Sequence, residues 1–125
     1  MLLQDFYSVD QIENLSDGKH IASITLNKNH AIFKGHFPGN PVTPGVCMMQ
    51  IIKELTETIL NENLTMISTS NVKFMALINP EVNAKLNLEL DISKNDLAEI
   101  KVKNSSSFGE TIALKLTNTY KISAS

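Results

Sequence analysis

The run Thr43-Pro44-Gly45-Val46-Cys47-Met48-Met49-Gln50-Ile51-Ile52-Lys53-Glu54, continuing to Leu60, decides the fold. Thr43 offers a hydroxyl that can accept a backbone N–H at a helix N-cap, and Pro44 has the backbone angle of a first helical position. The pattern therefore predicts a helix from here to about Leu60. Its first two turns, Val46, Cys47, Met48, Met49, Ile51 and Ile52, are apolar on nearly every side, whereas Lys53, Glu54, Glu57 and Asn61 give the later turns a wet face. Such a helix enters a core at its start and surfaces at its end.

Working outward, residues 35–45 hold three of the five glycines and three of the four prolines, so the most irregular backbone in the chain lies just before the helix. Upstream, Lys19 to Asn27 alternates as a strand after an Asp17-Gly18 turn, and the opening segment is ambiguous. Downstream, strands are predicted over Met66–Met75, Val82–Ile92, Ala98–Asn104 and Thr111–Ile122, separated by Asn79-Pro80, residues 93–96 and residues 105–109. Alternation is cleanest in Ala84, Leu86, Leu88, Leu90 and Ile92, the sign of a sheet with one buried face. One apolar helix among antiparallel strands gives an α+β fold, a sheet curled around a helix.

The 125 residues suit one domain, 1–125, with no internal boundary. All 11 basic residues are lysine, which removes the guanidinium fork that reads phosphates and guanine edges, and the net charge is -2. Nucleic acid is not the expected partner. The longest apolar run, Val46 to Ile52, is too short to span a bilayer, and Met1-Leu2-Leu3-Gln4-Asp5 carries no signal-peptide pattern. The expected location is the cytoplasm. Cys47 is the single cysteine and the three histidines have no ligand spacing, so neither metal nor nucleotide cofactor is expected.

The segment Phe33-Lys34-Gly35-His36-Phe37-Pro38-Gly39-Asn40-Pro41-Val42-Thr43-Pro44-Gly45-Val46 resembles the signature of the 3-hydroxyacyl-acyl-carrier-protein dehydratases, G-H-F-P-G-x-P-x-x-P-G-V before a central helix. Val72-Lys73-Phe74 followed by Pro80 is similar to that family's strand and proline turn. The resemblance implies a single hotdog domain, a curled antiparallel sheet around a long helix. It also implies a dimer joined sheet edge to edge, with a tunnel site at the interface. His36 would be the catalytic base, and Phe37, Pro44, Gly45 and Val46 would line the substrate site. The acyl carrier protein would be the partner, with Lys34, Lys53 and Lys73 as candidate contacts.

Dehydration removes a weakly acidic proton from C2 and expels hydroxide from C3, so it calls for a base, a polariser of the thioester and an acid. A neutral imidazole suits the first role. The first N–H groups of a helix, those of Gly45 and Val46, suit the second. Counting along the family pattern from His36, the helix position that normally carries glutamate or aspartate holds Gln50, an amide that cannot protonate a leaving group. Glu54, one turn further, is a conceivable substitute. Cys47 reads as a buried small hydrophobe, and His20 and His30 as exposed and inert.

Three functions follow. The chain could be a dehydratase in which Gln50 orients the hydroxyl. It could be a weak or inactive subunit completed by a paralogue in a mixed dimer. It could also be an acyl-binding or thioester-hydrolysing hotdog protein.

Overall fold

The computed structural model describes residues 5–34 and 41–123. Six antiparallel strands and one long helix make up most of it: β1 (Tyr7–Ser16), β2 (Lys19–Leu26), a single helical turn α1 (Ala31–Lys34), α2 (Gly45–Leu60), β3 (Leu64–Phe74), β4 (Lys85–Lys94), β5 (Ile100–Phe108) and β6 (Thr111–Ile122). The strands form one sheet in the order β1-β2-β4-β5-β6-β3. This is the hotdog architecture expected from the sequence.

The helix supplies the filling. Cys47, Met48, Ile51, Ile52, Leu55 and Thr56 are its buried residues. All but Thr56 share one core with Ala22, Ile24 and Leu26 of β2, with Leu86, Leu88 and Leu90 of β4, and with Leu114, Leu116 and Tyr120 of β6. Period-two alternation in the strands and the apolar start of α2 thus meet on the same side of the sheet.

Several boundaries differ from those expected: β3 runs Leu64–Phe74 rather than Met66–Met75 and β4 ends at Lys94 rather than Ile92, while the differences at β1, at the start of β4 and in β5 have local causes. The ambiguous opening is β1, paired along β2 from Tyr7↔Leu26 to Ser16↔Lys19. The turn between them needs Gly18: its φ is 77°, and a Cβ there would lie 2.5 Å from the Ile92 carbonyl oxygen. β4 starts at Lys85 rather than Val82, because Asn79 ties the preceding residues into a turn. Its side-chain oxygen accepts from the Glu81 N–H at 2.9 Å and its carbonyl from the Asn83 N–H at 2.8 Å. β5 starts at Ile100, after a turn in which Ala98 has φ 62° and Asn95 Oδ1 accepts from the Leu97 and Glu99 N–H groups. It continues to Phe108 because Ser105, Ser106 and Ser107 still pair with β6.

Thr43 is not the cap of α2. Its backbone N–H donates to the Ile78 carbonyl at 2.8 Å, which holds it in the loop. Pro44 takes the N-cap with φ -62 and ψ 144, and no side chain caps the helix. At the other end Asn61 closes α2 in the left-handed conformation, its N–H reaching the Glu57 carbonyl.

Tyr120 is fully buried on the inner face, its hydroxyl accepting from Asn118 Nδ2 at 2.8 Å. Burial, with a small push from the Glu57 charge, outweighs that hydrogen bond and raises the phenol from 10.0 to about 12. The folded chain therefore keeps a proton that the unfolded chain loses near pH 10, so this contribution to stability is intact below about 10 and falls as pH rises toward about 12. Unfolding free energies from denaturant titrations across that range should fall less steeply in Tyr120→Phe than in the native chain, by up to ~1.4 kcal/mol per pH unit, with the share due to Tyr7 retained. An unchanged slope in the variant would assign the alkaline loss to other groups.

Candidate active site

The described residues include the helix-borne members of the expected site, Pro44, Gly45, Val46 and Gln50. In α2 the first N–H groups that bond back to the preceding turn are those of Cys47 and Met48, which both reach the Pro44 carbonyl, at 3.0 and 3.2 Å. The N–H groups of Gly45 and Val46 lie ahead of that ladder, at the positive end of the helix dipole. The Phe74 ring lies against Gly45: a Cβ there would be 2.7 Å from its Cζ, so only glycine lets the ring sit where it does.

Two clefts of about 380 Å³ flank this helix start. One is lined by Val42, Thr43, Pro44, Gly45, Met48 and residues 74–78. The other is lined by Val46, Met49, Gln50, Lys53, Leu64, Thr65 and Met66. The residues singled out in the sequence are thus divided within one protomer, with Pro44 and Gly45 on one cleft and Val46 and Gln50 on the other. His36 and Phe37 lie outside the described residues.

Gln50 is half-buried, and an amide in that setting needs partners. Its Nε2 donates to Glu54 Oε2 at 2.8 Å, one helical turn on. The other oxygen of the same carboxylate, Oε1, accepts from the Tyr7 hydroxyl at 2.8 Å. Burial, followed by the bond to Glu54, pushes the Tyr7 phenol well above its ordinary 10.0, so it remains a donor. Tyr7 carries no motif and sits in the stretch whose sequence is ambiguous; only the pairing of β1 at the sheet edge brings it beside α2. Glu54 was reachable from its i+4 spacing, and the structure makes it the acceptor for Gln50.

Cys47 is buried, and that burial raises its thiol above the usual range. His30 is half-buried rather than exposed: its ring packs edge-on against Phe6 with centroids 5.2 Å apart, and its Nδ1 accepts from the Ile32 N–H at the start of α1. His20 is also half-buried, 3.2 Å from Asn14 Nδ2. Lys53 lies 4.0 Å from Glu57, and Lys34 and Lys73 are exposed. Among the described residues no helix is long and apolar enough to cross a membrane.

Comparison with known proteins adds an independent line. The chain is 27% identical to the 3-hydroxyacyl-(acyl-carrier-protein) dehydratase FabZ of Levilactobacillus brevis over 93% of its own length and 82% of that protein's. Against the FabZ of Zymomonas mobilis it is 33% identical over 57% of its length, and the match spans 46% of that relative. Among solved structures, the dehydratase heterocomplex ApeI:P from Xenorhabdus doucetiae superposes with a TM-score of 0.64 at 19% identity, covering 94% of this chain and 97% of the other. A hypothetical thioesterase from Streptococcus pneumoniae, solved with coenzyme A, gives 0.67 at 12% identity, covering 98% and 91%. The model of the ApeI-like family, described as ApeI dehydratase, matches residues 11–111. With most of its length inside that match and a hotdog sheet around α2, the chain belongs to the ApeI-like dehydratase family.

Proposed function

We propose that this chain, as a single hotdog domain over residues 1–125, converts 3-hydroxyacyl thioesters carried on an acyl carrier protein into trans-2-enoyl thioesters and water. His36 is the base, and the N–H groups of Gly45 and Val46 polarise the thioester carbonyl. The observation that carries this reading is the Gln50 amide on a largely apolar cleft beside the start of α2, where those N–H groups precede the helix's own ladder. Donors aimed at a developing enolate oxygen are each worth ~3–4 kcal/mol in other enzymes. Pro44 and Phe37 complete the substrate site.

Assembly through β3 is part of this reading. β3 is an edge strand of the sheet, and Met66, Ile67 and Val72 on it are exposed. An unpaired strand with apolar side chains supports pairing with a second copy, edge to edge. A mixed dimer with a paralogue that carries a carboxylate is the variant of this reading suggested by the ApeI:P heterocomplex.

The test is to incubate the purified chain with 3-hydroxyacyl carrier proteins of several lengths and follow products by mass spectrometry. Enoyl product from the chain alone is the expected result. Enoyl product only after a carboxylate-bearing paralogue is added assigns the chain to a mixed dimer. Release of free acid and thiol with no enoyl product overturns the dehydratase reading in favour of thioester hydrolysis.

A further inference from the structure

The Tyr7–Glu54–Gln50 chain of hydrogen bonds does more than satisfy buried polar atoms. An ionised carboxylate only accepts, and here each oxygen already has a donor: Tyr7 on Oε1 and Gln50 on Oε2. Turning the Gln50 amide over would set its carbonyl oxygen against Glu54 Oε2, acceptor against acceptor, so the carboxylate selects one orientation of the amide. Glu54 itself borders a different cleft, with Glu57, Thr58 and residues 61–63 toward the end of α2. With the nitrogen held by Glu54, the carbonyl oxygen is the end of the amide left for the cleft that Gln50 lines with Val46, Met49, Lys53 and Met66.

We propose that Glu54, braced by Tyr7, is a positioning residue that makes Gln50 present its carbonyl oxygen to the substrate, so that Gln50 accepts a hydrogen bond from the 3-hydroxyl. The inference rests on the dehydratase reading and deepens it. With an acceptor at this position, the proton that completes the leaving water is not supplied by Gln50. The C2–H bond breaks toward His36, its electron pair forms the C2=C3 bond, and the C3–O bond breaks with its pair on oxygen. The imidazolium then returns to that oxygen the proton it took from C2, so the products are enoyl thioester and water with no further co-reactant. Gln50, set by Glu54, holds the hydroxyl by its proton while the C3–O bond breaks.

The test is a kinetic cycle with Glu54→Gln, Tyr7→Phe and Gln50→Ala, backed by the side-chain amide resonances of Gln50 in the NMR spectrum. Glu54→Gln should lower kcat by ~10²-fold, the scale of a misplaced reacting group, with KM changed less than about two-fold. Tyr7→Phe should lower kcat in the same direction by less. In the Gln50→Ala background Glu54→Gln should cause no further loss, because it acts through the amide. The Gln50 amide proton, shifted by its carboxylate partner, should move in Glu54→Gln. A full Glu54→Gln loss on top of Gln50→Ala, or an unmoved amide resonance, overturns the proposal. If the chain forms no enoyl product, the dehydratase reading fails, while the resonance alone still decides whether Glu54 sets the amide.

Discussion

His36→Ala is expected to reduce enoyl formation by ~10²–10⁴-fold, the contribution of a positioned general base. The C2 proton of a thioester is only weakly acidic, and among the described residues near the helix start none is equipped to take it. Glu54 is committed to two donors, the Cys47 thiol is buried and pushed away from ionising, and Lys53 stands beside Glu57. The chain on either side of residues 35–40 is anchored: Phe33 is buried and stacked on Phe6 at 5.2 Å, and Pro41 is buried. The variant should therefore fold, and circular dichroism with an unchanged melting temperature checks that. Partial recovery with added imidazole would support a base at this position. Turnover kept within a few-fold of the native rate would place the base elsewhere.

Much of this molecule can be read from residues 33–60 because that stretch carries two signals that do not depend on distant chain. The glycine and proline spacing marks an irregular backbone in the sequence, and the apolar turns of α2 require a sheet to cover them. The strands of residues 84–92 are equally plain, since each buried leucine alternates with a polar residue. What could not be read depends on tertiary pairing. β1 has the burial pattern of an edge strand and few apolar residues to mark it, so its existence follows only from the ladder with β2. Tyr7 inherits that difficulty. The polar residues Asn104, Ser106 and Asn118 sit buried on the inner face, where a sequence reading expects hydrocarbon. Asn104 Nδ2 reaches the Glu89 carbonyl at 3.1 Å, Ser106 Oγ reaches Asn104 and Asn118 Nδ2 reaches Tyr120, while Asn118 Oδ1 has no partner among the described residues.

Gln50, where the sequence resemblance implies an acid, leads to the other large effect. Gln50→Glu should raise kcat by ~10²–10⁴-fold if the missing proton donor limits the native chain. The new carboxyl would occupy the place of an amide whose nitrogen lies 2.8 Å from Glu54 Oε2. Two carboxylates that close cannot both be ionised, so the pair holds one proton between them, with one of its two apparent pKa values raised. That shared proton is what a leaving hydroxide needs, and Tyr7 still donates to the far oxygen of Glu54. The gain should therefore be largest at low and neutral pH and disappear as pH rises through the raised value. The same rise costs stability, because the folded chain binds a proton that the unfolded chain releases at ordinary carboxylate pH. Adding Glu54→Gln to Gln50→Glu removes the like charge, and the alkaline limb of the rate profile should move down in pH. If Gln50→Glu leaves kcat unchanged while the chain turns substrate over, proton return by His36 is already sufficient. If activity appears only with the glutamate, the native chain needs a partner's acid.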